Sequence, residues 1–176
     1  MADPFRLRVL KALTAVIRTV TPANGYAHDL SDFVDEAGRT SARVFRGRDV
    51  FGFNDPLPLV SILEAPRPLE QLSATAGSAA SKGDWEILIQ AFVTDDPENP
   101  TDPAHLLIAD VVKAIAAARK GNRRDLLGLG DLAPCVTDMR LGAPAVRPAD
   151  DEMSTVAFAF LGLTLTLAED LDNPFA

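Results

Sequence analysis

The chain has 176 residues and carries 17 basic against 25 acidic side chains, so its net charge is −8 with both histidines neutral. Apolar residues make up 47% of the chain and charged residues 24%, which is typical of a folded globular domain and excludes a disordered one. We expect a single domain at this length. The acidic balance argues against nucleic-acid binding by bulk charge, because that requires clustered lysine and arginine.

The sequence also argues against a membrane-spanning protein, a secreted protein and a protein with a metal held by cysteines. The longest strongly apolar stretch, Val156 to Ala168, has 13 residues and is too short to cross a bilayer as a helix. The first residues lack the basic-then-apolar order of a signal peptide, so we expect synthesis in the cytoplasm. Cys135 is the only cysteine, which excludes an intrachain disulfide and argues against a cysteine-based metal site.

Two amphipathic helices are predicted. In the first, apolar side chains recur at three- and four-residue steps from Val9 to Val20, and Asp3 and Pro4 suit its N-cap and first turn. The second begins at Asp102-Pro103 and runs to about Lys120, with a buried stripe made of Leu107, Ile108, Val111, Val112 and Ile115.

Alternation and β-branched content predict strands over residues 42–48, 59–65, 85–93, 136–141 and 154–167. Trp85–Val93 carries apolar residues on both faces, which predicts a central place in the sheet. In the last strand the bulky residues change phase after Phe160, so we predict a β-bulge or a bend at Leu161-Gly162. Three consecutive strands favour antiparallel pairing. The predicted class is therefore α+β, with one mainly antiparallel sheet and two helices packed on one face.

Two segments are predicted to be loose within this single domain of residues 1–176. The acidic tail over 169–176 is one. The other is a flexible loop over 73–83, which is built from small and polar residues. A hairpin needs far fewer residues, so we expect the loop to contact a partner through Ser73, Thr75, Gly77, Ser78, Ser81 and Lys82.

The sequence offers no convincing active site. Neither histidine, His28 or His105, lies in a motif with a nucleophile. The acidic loop Asp95–Asp102 lacks the central glycine and terminal glutamate of an EF-hand, and no phosphate-binding glycine loop is present. We therefore predict no catalytic residue, no metal site and no cofactor.

Two groups of basic residues are candidates for a subunit or tube interface. Arg46 and Arg48 share a short predicted strand. The second group holds four of the 17 positive charges within six residues, namely Arg119, Lys120, Arg123 and Arg124. Solvation and pairing with a helix C-terminus is the simpler interpretation of this second group. The functional interpretation is a charged contact, either with passing DNA or with an acidic protein surface, and the acidic chain favours the protein surface.

Several short sequence segments, here called phrases, follow one another in a recognisable order along the chain. After the first helix come a Gly25-Tyr26 turn into Asp29-Leu30, the phrase Val44–Arg48 and the phrase Pro58–Glu64. The strand over 85–93, the Asp102-Pro103 helix and a long last strand follow. This layout resembles the tail terminator (tail completion) proteins of long-tailed bacteriophages, and the likeness covers most of residues 5–167.

The resemblance implies a structural protein of the virion and not an enzyme. Such proteins form a hexameric ring that caps the head-proximal end of the tail tube and stops tube polymerisation. The ring joins the tail to head-completion or connector proteins, and DNA passes through its lumen without specific binding. It would therefore lie in the virion tail after synthesis in the host cytoplasm, with the tail tube protein and further copies of itself as partners.

Two alternatives stay open. The first is a small adaptor or assembly chaperone that binds through a sheet edge. The second is a small enzyme, which would need a pocket built from His28, Asp29 and the pair Arg46 and Arg48.

Overall fold

The computed structural model describes residues 2–52, 54–64, 78–121, 125–148 and 155–175, with the backbone alone for 120–121. Two α-helices lie in these ranges, α1 (Phe5–Arg18) and α2 (Asp102–Gly121). The strands are β1 (Phe33–Val34), β2 (Thr40–Ser41), β3 (Val44–Arg46), β4 (Leu59–Glu64), β5 (Ala80–Thr94), β6 (Cys135–Leu141), β7 (Ala145–Arg147) and β8 (Val156–Asp170).

Six of these strands form one mixed sheet in the order β3-β4-β5-β8-β6, with β7 also paired to β8. All its pairs are antiparallel except β3 with β4, which is parallel. Strands β1 and β2 form a separate small hairpin. The predicted α+β class and the mainly antiparallel sheet are confirmed, and β5 is central as predicted.

The core lies between the helices and one face of the sheet. Strands β5 and β8 pair along their whole length, from Ala80 opposite Asp170 to Thr94 opposite Val156. The odd-numbered side chains of both strands, from 85 to 93 and from 157 to 167, are buried in one cluster with the apolar stripes of α1 and α2. This single cluster explains why one sheet can support both helices.

The predicted β-bulge at Leu161-Gly162 is wrong. The register of β5 with β8 runs through this point without a shift. Ala157 and Ala159 lie on the core face in the first half of β8, so the bulky residues of that half lie on the outer face. The position of the bulky residues changes from one face to the other, but the backbone register does not. The register shift lies in β6 instead, between Val136 and Asp138.

The predicted loop over 73–83 is wrong at its C-terminal end. Ser81 and Lys82 lie in β5, opposite Glu169 and Ala168. Backbone ladder bonds need no bulky side chain, so this small-residue stretch extends the strand. Ser78 precedes the strand, and its hydroxyl accepts a hydrogen bond from the Ala80 amide. The predicted contact residues Ser73, Thr75 and Gly77 lie outside the described residues.

Residues 169–175, from the predicted loose tail, include two that contact the start of the chain. Glu169 lies in β8 and accepts two hydrogen bonds from the Arg6 guanidinium, at 2.9 and 2.7 Å. The Phe5 amide donates to the Pro174 carbonyl at 2.8 Å. The start of α1 is therefore fastened to this tail. Asp3 does not cap the helix as predicted, and accepts a hydrogen bond from Lys11 Nζ instead.

The two faces of the sheet differ in burial, and paired leucine substitutions test this difference. Leu163 faces the helices and is 1% exposed, whereas Leu88 lies on the other face and is 37% exposed. We expect Leu163→Ala to lower the free energy of unfolding by about 2–5 kcal/mol, and the matched Leu88→Ala by about 1 kcal/mol or less. Urea denaturation of dilute protein measures both, and equal losses would contradict the assignment of the core face.

Candidate protein-interaction surface

The sheet face opposite the helices is the candidate surface, and we call it the open face. It carries the even-numbered side chains of β5 and β8, because directly paired residues of antiparallel strands point to the same side. Its members are half-buried or exposed, in contrast to their odd-numbered neighbours. They include Glu86, Leu88, Gln90, Phe92, Phe158, Phe160, Gly162, Thr164 and Thr166.

One part of the open face is covered by a strap, residues 47–52, which follows β3. Phe51 of the strap lies with its ring centroid 5.6 Å from that of Phe45 and 4.9 Å from that of Phe92. Phe92 in turn makes an edge-to-face contact with Phe158 at 5.3 Å. These four rings form an aromatic row across β3, β5 and β8, which fastens the strap through tilted and edge-on ring contacts.

Arg48 organises the strap. Its guanidinium carbon lies 4.7 Å from the ring centroids of both Phe45 and Phe51. The same group donates to Asp55 at 2.6 Å, and Asp55 accepts a second hydrogen bond from the Gly52 amide at 2.8 Å. The Ser61 hydroxyl donates to the Arg48 carbonyl. The charge of Arg48 is thus engaged within the chain.

Beside the strap lies an acid-rimmed groove of about 650 Å³. Leu88 lies directly opposite Gly162 in the register of β5 and β8. No lysine or arginine lines the groove among the described residues. Its lining consists of Asp49, Leu63, Glu64, Glu86, Ile87, Leu88, Gly162, Leu163 and Thr164.

A neutralised pair borders this groove. Asp84 accepts a hydrogen bond from the Thr166 hydroxyl at 2.5 Å and pairs with Arg140. The hydrogen bond from Thr166, followed by the contact with Arg140, lowers the pKa of Asp84 below its ordinary value. The negative charge of the groove therefore comes from its own rim and not from Asp84.

The three predicted interface arginines whose side chains are described, Arg46, Arg48 and Arg119, have different surroundings. Arg46 points to the helix side, where it donates to Thr14 Oγ1 of α1 at 3.1 Å, while Arg48 lies on the open face. Arg119 lies 3.9 Å from Asp138 and is 55% exposed. The side chains of Lys120, Arg123 and Arg124 lie outside the described residues.

His28 anchors a turn to α2. Its Nδ1 lies 2.9 Å from Asp110 Oδ2, and the same oxygen accepts hydrogen bonds from the backbone amides of Ala27 and His28 at 3.0 Å. All three contacts come from residues 27–28, so Asp110 holds the turn against the helix. Asp29 is engaged locally with Ser31. The pocket that an enzyme would need from His28, Asp29 and the two arginines is not assembled by the described contacts.

The described residues contain no group of three or more histidine, cysteine, aspartate or glutamate side chains placed to hold a metal ion. Among the helices they form, none combines the length and apolar character required to cross a membrane. Cys135 is buried, and burial, assisted by the nearby Asp131, raises the pKa of its thiol. A buried thiol with a raised pKa is a poor nucleophile.

No family model matches the sequence, and no curated protein matches it either. The groove and the strap are features that the sequence analysis did not single out. Leu88 and Gly162 gave a usable signal, since an apolar residue and a strand-interior glycine both lie on the outer face. Phe51 gave none, because its partners are brought together only by the sheet.

Asp84 provides a test of the pH dependence of stability. Its pKa is lowered in the folded state, so its contribution to stability is present above the unfolded value of about 4 and is lost as pH falls through the folded pKa. We expect Asp84→Asn to lower the melting temperature at pH 7 and to approach wild type at the lowest pH. Thermal melts from pH 2.5 to 7 measure this. Asp172→Asn, an exposed site with the same charge change, is the control, and a pH-independent difference for Asp84→Asn would contradict the assignment.

Replacement of Arg48 by lysine tests the strap. Lysine keeps the charge but loses the planar group that stacks on two rings and reaches Asp55, so we expect a loss of about 1 kcal/mol and faster amide exchange at Gly52. Arg39→Lys, at an exposed hairpin site paired with Asp35, is the matched control. Hydrogen exchange measures both variants, and unchanged protection in Arg48→Lys would show that the aromatic row alone holds the strap.

Proposed function

We propose that this chain is a structural protein of a phage virion, a tail terminator that forms a ring at the head-proximal end of the tail tube. The observation that carries the proposal is the open face: within the described ranges no helix covers this side of the sheet, which has an exposed leucine and an acid-rimmed groove. Uncovered apolar surface of this kind marks a site of association. A ring that caps the tube and contacts the head-completion proteins uses such surfaces.

The phrases that resemble tail terminators fall at positions that support this role. Val44–Arg48 forms β3 and the start of the strap, and Pro58–Glu64 leads into and forms β4. The Gly25-Tyr26 turn is the one held against α2 by Asp110 and by Lys113, whose ammonium group donates to the Gly25 carbonyl at 2.8 Å. These phrases therefore coincide with the contacts that fix the helices and the strap on the sheet.

Charge supports passage of DNA through such a ring. The chain has a net charge of −8, and DNA binding through phosphates requires an excess of lysine and arginine. An acidic ring repels the duplex and allows it to slide through the lumen without being held. DNA is therefore proposed as a passing molecule and not as a bound partner.

The basic residues differ in how directly they could contact another subunit or the tube. Arg119 is exposed and remains a candidate for direct contact with a neighbouring subunit or with the tube. Arg46 and Arg48 have contacts within the chain, so any effect on assembly would include the strap and α1. Residues 73–78 remain candidates for contact with the tube, together with the exposed Lys82 at the start of β5.

An adaptor is the second candidate, and a specific observation favours it. Strand β3 is an outer strand of the sheet, with β4 on one side and no further strand of the described ranges on the other. An open edge of this kind offers unpaired backbone groups to an extended peptide. An adaptor that used this edge would bind one partner strand as a monomer.

Native mass separates the two candidates. We expect the tail terminator to give a complex of six 18.8 kDa subunits, either alone or after addition of the tail tube protein of the same phage. Negative-stain images should then show a ring at one end of the tube, and loss of the gene should give tails of uncontrolled length that do not join heads. A chain that stays monomeric with and without the tube protein, and tails of normal length without it, would contradict the proposal.

A further inference from the structure

Two surfaces of this chain carry charges of opposite sign beside exposed apolar residues, and they lie on opposite sides of the sheet. We propose that the acid-rimmed groove of one copy binds the outer face of α2 of a second copy. This contact specifies how neighbouring subunits of the proposed ring would bind. It depends on the proposed function only in assuming that the chain self-associates. It names the two surfaces through which neighbouring subunits would meet.

The floor of the groove has room for a close neighbour. Gly162 lies inside β8, yet its backbone is not in the left-handed region and a Cβ atom added there would meet no atom within 4 Å. Nothing in the described chain therefore requires glycine at this position. Along the sheet, the Gly142 amide approaches this glycine and donates to its carbonyl at 2.8 Å. The space on its Cβ side remains open, and a strand-interior glycine often marks the close approach of another backbone or ligand. The exposed Leu88 directly opposite supplies apolar contact area.

The rim of the groove is negatively charged. Asp49 and Glu86 line it, and neither forms an ion pair with another described residue. Glu64 also contributes to the lining, but it lies opposite the core residue Ile87, so its side chain points to the helix side, where its charge acts on Arg6. The groove therefore suits an apolar segment that carries positive charge.

The outer face of α2 has this character. Leu106, Ala109, Lys113 and Ala116 recur at three- and four-residue steps and are exposed, with Leu106 at 59%. Between residues 103 and 121 the only acid is Asp110, which is occupied by the turn at 27–28. The small alanines let this helix approach a surface closely. The ammonium group of Lys113 donates to the Gly25 carbonyl and lies over the Tyr26 ring, but no carboxylate pairs with it among the described residues, so its positive charge remains beside the apolar stripe.

The contact is heterologous. Because α2 packs on the helix side of the sheet and the groove lies on the open face, the two surfaces of one copy cannot meet each other. Each copy therefore offers its groove to one neighbour and its α2 face to another. Such head-to-tail contacts give a ring when the rotation between copies closes, and a two-fold dimer does not satisfy them.

A bulky residue at position 162 tests the groove. We expect Gly162→Leu to reduce the assembled fraction at least tenfold by native mass while its circular dichroism and melting temperature stay close to wild type, since its side chain enters open space in the single copy. Gly83→Leu is the matched control, because a Cβ atom there also meets nothing within 4 Å but the position lies outside the groove. Assembly of Gly162→Leu to the wild-type extent would overturn the proposal.

Cysteine pairs test the partner surface directly. We expect a mixture of Leu88→Cys and Ala116→Cys proteins to form a disulfide-linked dimer under mild oxidation, while each variant alone forms none. Wild type, with only the buried Cys135, is the control. Cross-linking within a single variant would overturn the heterologous contact.

The possible failures are distinguishable. Oligomers without the mixed cross-link would overturn this contact and leave the ring. A wild type that remains monomeric with the tube protein would overturn both, and would favour a basic segment of another protein as the occupant of the groove. The mixed cross-link could form while loss of the assembly leaves tail length unchanged. That result would overturn the terminator function, and the proposed contact would still stand.

Discussion

The full-length pairing of β5 with β8 is the constraint on which the rest of this structure depends. It aligns fifteen residues of each strand without a register shift, so every odd-numbered side chain of the central strands points toward the helices. One face thereby becomes a continuous core, and the other carries the half-buried and exposed side chains of the open face. A slip of one residue would exchange the two faces, so the core and the candidate surface are fixed by the same ladder.

The sequence predicted the elements better than their relation to one another. The central place of Trp85–Val93 is predicted from the apolar residues on both of its faces. In the predicted buried stripe of α2, Leu107, Ile108, Val111 and Ile115 are buried and Val112 is half-buried. The bulge at Leu161-Gly162 was predicted wrongly, since a sequence pattern cannot distinguish a phase change from small alanines beneath a helix. The parallel pairing of β3 with β4 and the placement of Phe51 depend on tertiary contacts, which no local pattern encodes.

The candidate surface combines a held part and an open part. Arg48, Asp55 and the aromatic row fix the strap over one end of the open face, whereas Leu88 and Gly162 leave the neighbouring groove uncovered. The arginines that looked like an interface in the sequence are therefore partly architectural. This role becomes visible only when the sheet brings Phe45, Phe51 and Arg48 together. The acidic rim of the groove is therefore a better indicator of an interaction surface than these arginines.

The long ladder also has a consequence for synthesis on the ribosome. Strand β5 leaves the exit tunnel long before β8, because α2, β6 and β7 lie between them in the chain. Until β8 emerges, the nascent chain holds an apolar strand that has β4 on one side and an unsatisfied edge on the other. Such non-local pairing folds slowly and exposes aggregation-prone segments. Yield in a heterologous host should therefore depend more on translation rate and chaperone supply than on the stability of the finished domain.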